Sequence, residues 1–163
     1  VKTPLIVWHS RTGGARAMAE AAAQAAGREA GVTTKNLPAA VAQPRDLLAA
    51  DGYLFACPEN LAAMSGAMKE LFDRCYYPCL ERLNGRPYAA MICAGSGGEG
   101  AASQLARIAT GWRLKAVAEP LIVNVAAQSP EAILAPKTLT RAQIVLCANL
   151  GAALAAGLAM GVF

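Results

Sequence analysis

The chain has 163 residues, 55% hydrophobic and only 16% charged, with a net charge of +4. That length suits one domain with a full core, and the composition excludes a disordered chain. No basic run or basic–aromatic stripe accompanies the mild positive charge, so no nucleic-acid partner is expected. Five cysteines form no paired framework and the N-terminus shows no charged-then-apolar leader, so a reducing, cytoplasmic setting is expected.

In chain order, the apolar run Leu5-Ile6-Val7-Trp8 reads as a buried strand, and Ala17–Ala26 is almost pure helix former. Between them lies Ser10-Arg11-Thr12-Gly13-Gly14-Ala15-Arg16. A strand entering a helix through such a loop points free N–H groups at one spot, where the helix dipole adds positive charge. Two arginines beside that dipole make physical sense if an anion sits between them. The competing reading is a plain glycine turn before a solvated helix start. No Gly-Lys-Ser/Thr follows, and no Gly-x-Gly-x-x-Gly is present, so neither the Walker loop nor the dinucleotide fingerprint applies.

Val32–Leu37 reads as a second strand, Pro44–Ala50 as a short helix, and Tyr53–Cys57 as a third strand. Met64–Leu83 reads as a long helix closed by Asn84-Gly85-Arg86-Pro87, and Tyr88–Ala94 as a fourth strand. The glycine-rich Gly95–Gly100 follows, then a helix over Ala101–Leu114 and a fifth strand over Pro120–Val125. Ala126–Lys137 reads as loop, and Thr140 as the N-cap of a last helix. Ile144–Phe163 is long and apolar enough to span a bilayer. Its alanines and glycines after a soluble α/β pattern instead predict a helix docked on the sheet, with no membrane partner.

Strands alternating with helices predict an α/β doubly wound parallel sheet, whose ligands bind beyond the strands' carboxyl ends. Three loops should then be built for a ligand. The first is Ser10–Arg16; the second is Pro58-Glu59-Asn60-Leu61-Ala62-Ala63-Met64; the third is Ala94-Gly95-Ser96-Gly97-Gly98-Glu99.

Other chemistry fits poorly. Ser96 has the small-x-Ser-x-Gly setting of a hydrolase nucleophile elbow, but the one histidine, His9, lies upstream rather than downstream. Cys93 precedes a glycine loop as a phosphatase cysteine would, yet Glu99 stands where an arginine should be. Cys75 and Cys79, one helical turn apart, lack further ligands and read as packed thiols. Cys57, Cys147 and Met68 read as core, and His9 as a packed strand-end residue.

The first loop resembles the Ser/Thr-x-Thr-Gly-x-Thr phosphate loop of flavodoxin-like proteins, with Ala15 where a second threonine is usual. Pro58, Met64-Ser65-Gly66, Met68-Lys69 and Asp73-Arg74 resemble a segment of FMN-dependent NAD(P)H oxidoreductases in that superfamily. Asn60, Leu61 and Ala62 replace its two aromatics and glycine. The resemblance implies a five-stranded sheet of order 2-1-3-4-5 with FMN held by the three loops. It places the FMN phosphate on the first loop and the ring against the second and third. Leu61 would then cover the ring, Glu59 or Asn60 would reach its polar edge, and the third-loop amides would meet its pyrimidine end. NAD(P)H would be the reductant and a quinone, flavin or similar small molecule the acceptor. The alternatives are a one-electron carrier for a protein partner, or a member with weakened flavin binding. A homo-oligomer is also implied, with Gly157-x-x-x-Gly161 a candidate close contact.

Overall fold

The computed structural model describes residues 1–163. In chain order the elements are β1 (Pro4–Trp8), α1 (Gly14–Ala26), β2 (Lys35–Pro38), α2 (Pro44–Ala49), β3 (Gly52–Asn60) and β4 (Ala63–Met64). There follow α3 (Gly66–Cys79), β5 (Pro87–Ala94), α4 (Glu99–Gly111), β6 (Lys115–Ala116), β7 (Leu121–Asn124), α5 (Pro130–Leu134) and α6 (Arg141–Met160). The sheet runs β2-β1-β3-β5, with β6 and β7 both parallel to the outer edge of β5. This is the flavodoxin-like order, with the fifth position filled by two short pieces.

Alternation along β3 divides the interior, because successive side chains of a strand point to opposite faces. Tyr53, Phe55 and Cys57 join the larger core, where Phe55 packs on Phe72 at 5.0 Å between ring centroids and Phe72 on Trp112 at 5.3 Å. Leu54 and Ala56 join the other core, with Ile6, Met18, Met91 and Leu154. Cys57, Met68 and Cys147 are fully buried, as expected, and burial pushes the Cys57 thiol up to about 12. Cys75 and Cys79 are buried too, with the Cys79 thiol pushed up to about 11.

Several boundaries differ from the sequence reading for identifiable reasons. The fifth strand forms as two pieces, Lys115–Ala116 and Leu121–Asn124, because the register on β5 slips across the Pro120 segment between them: Ala116 faces Tyr88 and Leu121 faces Met91. The helix expected from Met64 starts at Gly66, since Ala63 and Met64 turn back to pair antiparallel with Asn60 and Glu59. It ends at Cys79, just ahead of Glu81 at φ +63°. α1 begins earlier than expected, at Gly14. The loop expected over Ala126–Lys137 contains α5, whose Ser129 hydroxyl accepts from the Ala132 N–H.

Motif residues of α3 serve the fold. The Arg74 guanidinium donates to the carbonyls of Ala39 (2.9 Å) and Ala42 (2.7 Å), pinning the chain between β2 and α2. Lys69 pairs with Asp73 along the helix surface.

α6 is long and apolar enough, by length and composition, to cross a membrane. Here Thr140 and Gln143 form a capping box at its start, and Cys147, Leu154 and Leu158 enter the core. Gly151 lies against the backbone of Ala22 on α1, where a side chain would overlap. Gly157 and Gly161 have roles within the chain. Gly157 lies under the Phe163 ring, and Gly161, at φ +67°, ends the helix while the Val162 N–H returns to the Gly157 carbonyl.

Candidate functional site

Two helices start at the carboxyl ends of β1 and β5, and they start alike. Gly13 at φ +99° precedes α1 and Gly98 at φ +114° precedes α4, a left-handed conformation that favours glycine. Their orphan N–H groups meet different fates.

At α1 the first turn is open. No side chain caps it, it carries no acidic residue, and the Gly14, Ala15 and Arg16 N–H groups have no hydrogen-bond partner. The Ser10 hydroxyl accepts from the Gly13 N–H at 3.0 Å, which fixes the turn and leaves its own proton free to donate. Arg11 is exposed and makes no ion pair, so a full positive charge stands beside the open turn.

At α4 a carboxylate occupies the first turn. Glu59, from the end of β3, accepts from the Gly98 N–H through Oε1 and from the Ala101 N–H through Oε2, both at 3.0 Å. The carboxylate is a helix cap delivered from a distant strand, and it sits where the dipole favours negative charge. Glu59 is thereby tied to α4 while still lining the cavity, and the Gly98 amide is tied to Glu59.

β3 and β4 form a hairpin whose two turn residues, Leu61 at φ +53° and Ala62 at φ +60°, are both left-handed. Asn-Gly is the sequence that makes such a turn easily; Leu-Ala makes it under strain. Leu61 is fully exposed at the tip. Gly100 lets the hairpin lie on α4, because a Cβ there would meet the Ala62 carbonyl oxygen.

The segment from Val125 to Lys137 straps the site from the other side. Its Val125 and Ala127 N–H groups donate to the carbonyls of Ala94 and Gly95, and the Lys137 N–H donates to the Thr12 carbonyl at 2.8 Å. Gly95 must be glycine for this contact, since a Cβ would meet the Ala127 carbonyl oxygen.

Hairpin, strap and first loop enclose a cavity of about 500 Å³, within the usual size of a small-molecule site. Arg11 and Thr12 line it from the first loop, Pro58, Glu59, Asn60, Leu61 and Ala62 from the hairpin, and Ala94, Gly95 and Ser96 from the third loop. The structure thus brings members of all three expected loops together. Ser10, Gly13, Gly14 and Ala15 lie behind Arg11 and Thr12 as the start of α1, and Gly97, Gly98 and Glu99 sit at the start of α4; none lines the cavity. Ala63 and Met64 stand behind the hairpin, where the Met64 N–H donates to the Gln104 side chain. Arg16 turns away altogether, pairing with Glu20 at 2.8 Å and stacking over Trp8 at 5.6 Å.

Cys93, Val125, Ala127, Ile133, Leu134 and Lys137 also line the cavity, and sequence reasoning missed them. Only Cys93 had drawn attention, for another chemistry. The rest belong to a segment whose prolines mark a loop without saying what the loop covers.

His9 sits beside the first loop, its Nδ1 hydrogen-bonded to the buried Ser65 hydroxyl at 2.8 Å. Burial first, and the neighbouring Arg11 charge second, hold its pKa below 6.5.

Residues 9–128 match the model of the NADPH-dependent FMN reductase family. The chain belongs to that family. No curated protein sequence matches it. Among solved structures, it resembles a flavodoxin from the domain Archaea at 18% identity and TM-score 0.73, covering 94% of this chain and 96% of that one. A flavodoxin, WrbA-like protein from Agrobacterium tumefaciens is 19% identical, with TM-score 0.72 and 99% of both chains covered. Rubredoxin oxygen:oxidoreductase from Desulfovibrio gigas has TM-score 0.76 at 16% identity; the match covers 97% of this chain and 36% of that longer protein. At such identities these likenesses show the fold of this FMN reductase family member and nothing finer.

Two predictions follow from the geometry. Glu59→Ala removes the cap of α4 and should lower stability by about 1–2 kcal/mol in denaturant unfolding; an unchanged midpoint would contradict the capping role. For His9, a folded pKa below 6.5 means the unfolded chain binds the proton more readily. Stability should therefore decline as pH falls below 6.5, down through the folded pKa, and His9→Gln should flatten that slope. A slope unaltered in the variant would assign the decline to other groups.

Proposed function

We propose that this chain binds FMN and works as an NAD(P)H-dependent oxidoreductase that passes electrons to a small acceptor of quinone or flavin type. One observation carries the reading. The open first turn of α1, with three unpartnered N–H groups and the unpaired Arg11, borders a cavity at the carboxyl ends of β1, β3 and β5. That is the switch-point position where doubly wound sheets take ligands, with an anion site at one end.

The residues present fit FMN. The Gly14, Ala15 and Arg16 N–H groups, the Ser10 and Thr12 hydroxyls and Arg11 would hold its phosphate. Pro58, Asn60, Leu61 and Ala62 on one side, and Ala94, Gly95 and Ser96 on another, would orient its ring. FMN, when bound, supplies the electron-transfer chemistry with nicotinamide and acceptor. The chain's own part is to bind, to orient and to keep water away, and the last task falls to Leu61, Ile133 and Leu134 around the mouth. A charged catalytic side chain is not needed for this, and Glu59, the one carboxylate lining the cavity, is committed to α4.

Absorption spectroscopy tests the reading. Purified protein given FMN should retain it through gel filtration, and anaerobic NADH or NADPH should bleach the bound flavin promptly. Arg11→Ala should weaken FMN binding about ten-fold, the worth of one charge-assisted contact. Flavin that is bleached only by a chemical reductant would favour an electron carrier for a protein partner. Protein that retains no flavin would overturn the proposal.

A further inference from the structure

The strap adds a cation to the cavity that no loop motif contains. Lys137 is half-buried and lines the cavity. Its backbone N–H is bonded to Thr12 in the first loop, and its carbonyl lies beside Gly13. Its stem runs across the start of α1: a Cβ on Gly14 would stand 3.5 Å from Lys137 Cβ and 3.7 Å from Lys137 Cγ. Glycine is enforced there in any case, because the same Cβ would lie 2.5 Å from Cys93 Sγ.

The ammonium group has carbonyl partners but no carboxylate. It donates to the carbonyls of Ile133 at 2.8 Å and Ala135 at 2.5 Å, at the carboxyl end of α5, and makes no ion pair. Two cations, Arg11 and Lys137, therefore face one cavity whose only carboxylate, Glu59, is bound to amides of α4. A third positive contribution comes from the open turn of α1. Such an excess fits a ligand group carrying two negative charges. A lysine stem is flexible, and rotation about its torsions moves the ammonium between the α5 carbonyls and the α1 turn.

Ala15 supplies the second argument. The loop this sequence resembles carries a threonine hydroxyl at that position. Here the methyl group is buried in the core that also holds Ile6 and Met18, so the first loop is one donor short. We propose that Lys137 supplies the missing donor, closing the phosphate site from the strap as a cofactor-binding residue. The inference rests on the FMN reading of the cavity.

Comparing FMN with riboflavin, which has the same ring and no phosphate, isolates this role. Fluorescence titration of wild type, Lys137→Met and Lys137→Arg with both flavins is the experiment. Lys137→Met should weaken FMN about ten-fold or more, leave riboflavin within about two-fold, and make FMN affinity less sensitive to salt. Lys137→Arg should recover most of the FMN affinity. Equal losses for both flavins would overturn the proposal by showing that Lys137 only positions the strap, and so would unchanged FMN affinity in Lys137→Met. Wild-type protein that binds neither flavin would overturn the FMN reading and the Lys137 role with it, an outcome distinct from the other two.

Discussion

The Glu59 carboxylate between the Gly98 and Ala101 N–H groups is the interaction on which the site's arrangement depends. It joins the end of β3 to the start of α4 and so fixes the hairpin against the third loop. The same two bonds place a carboxylate on the partial positive charge of α4, while no anionic side chain stands at that of α1. Two helix starts with the same glycine geometry thereby become chemically different, and the cavity acquires one anion-attracting end instead of two. Polarity along the cavity follows: cationic where Arg11 and Lys137 flank the start of α1, apolar where Leu61 of the hairpin and Ile133 and Leu134 of the strap line it.

Glycines make the close approaches possible. Gly95 admits the strap, Gly100 admits the hairpin and Gly14 clears Cys93. Each removes a side chain where two segments of backbone, or backbone and a thiol, must touch, which is a use of glycine distinct from turn formation. Burial pushes the Cys93 thiol up, and the nearby Lys137 charge pulls it partly back, so it stays a neutral wall of the cavity. Strain at Leu61 and Ala62 runs the other way. A leucine held left-handed and fully exposed at the mouth costs stability.

The sheet and the location of the site were legible in the sequence because both rest on local signals. Apolar runs at Leu5–Trp8, Tyr53–Cys57 and Tyr88–Ala94 mark buried strands, and Gly13 and Gly98 mark the turns into helices. What stayed hidden was non-local. Glu59 meets amides some forty residues later in the chain, and nothing in its neighbours announces that partner. Arg16 looked like an anion ligand by position, yet Glu20 one turn on and Trp8 on the strand hold it elsewhere. The hairpin at Leu61-Ala62 lacks the Asn-Gly signature that would have shown it. Lys137 and its strap become part of the site only once β7 places them beside the first loop.

On the proposed reading, the open turn of α1, and not that of α4, receives the ligand's negative charge. A crystal structure of the protein grown with FMN tests it most directly. The phosphate should lie within hydrogen-bonding distance of the Gly14, Ala15 and Arg16 N–H groups, with Glu59 still bound to Gly98 and Ala101. A phosphate placed at the start of α4 with Glu59 displaced, or a flavin held with its phosphate away from α1, would contradict it.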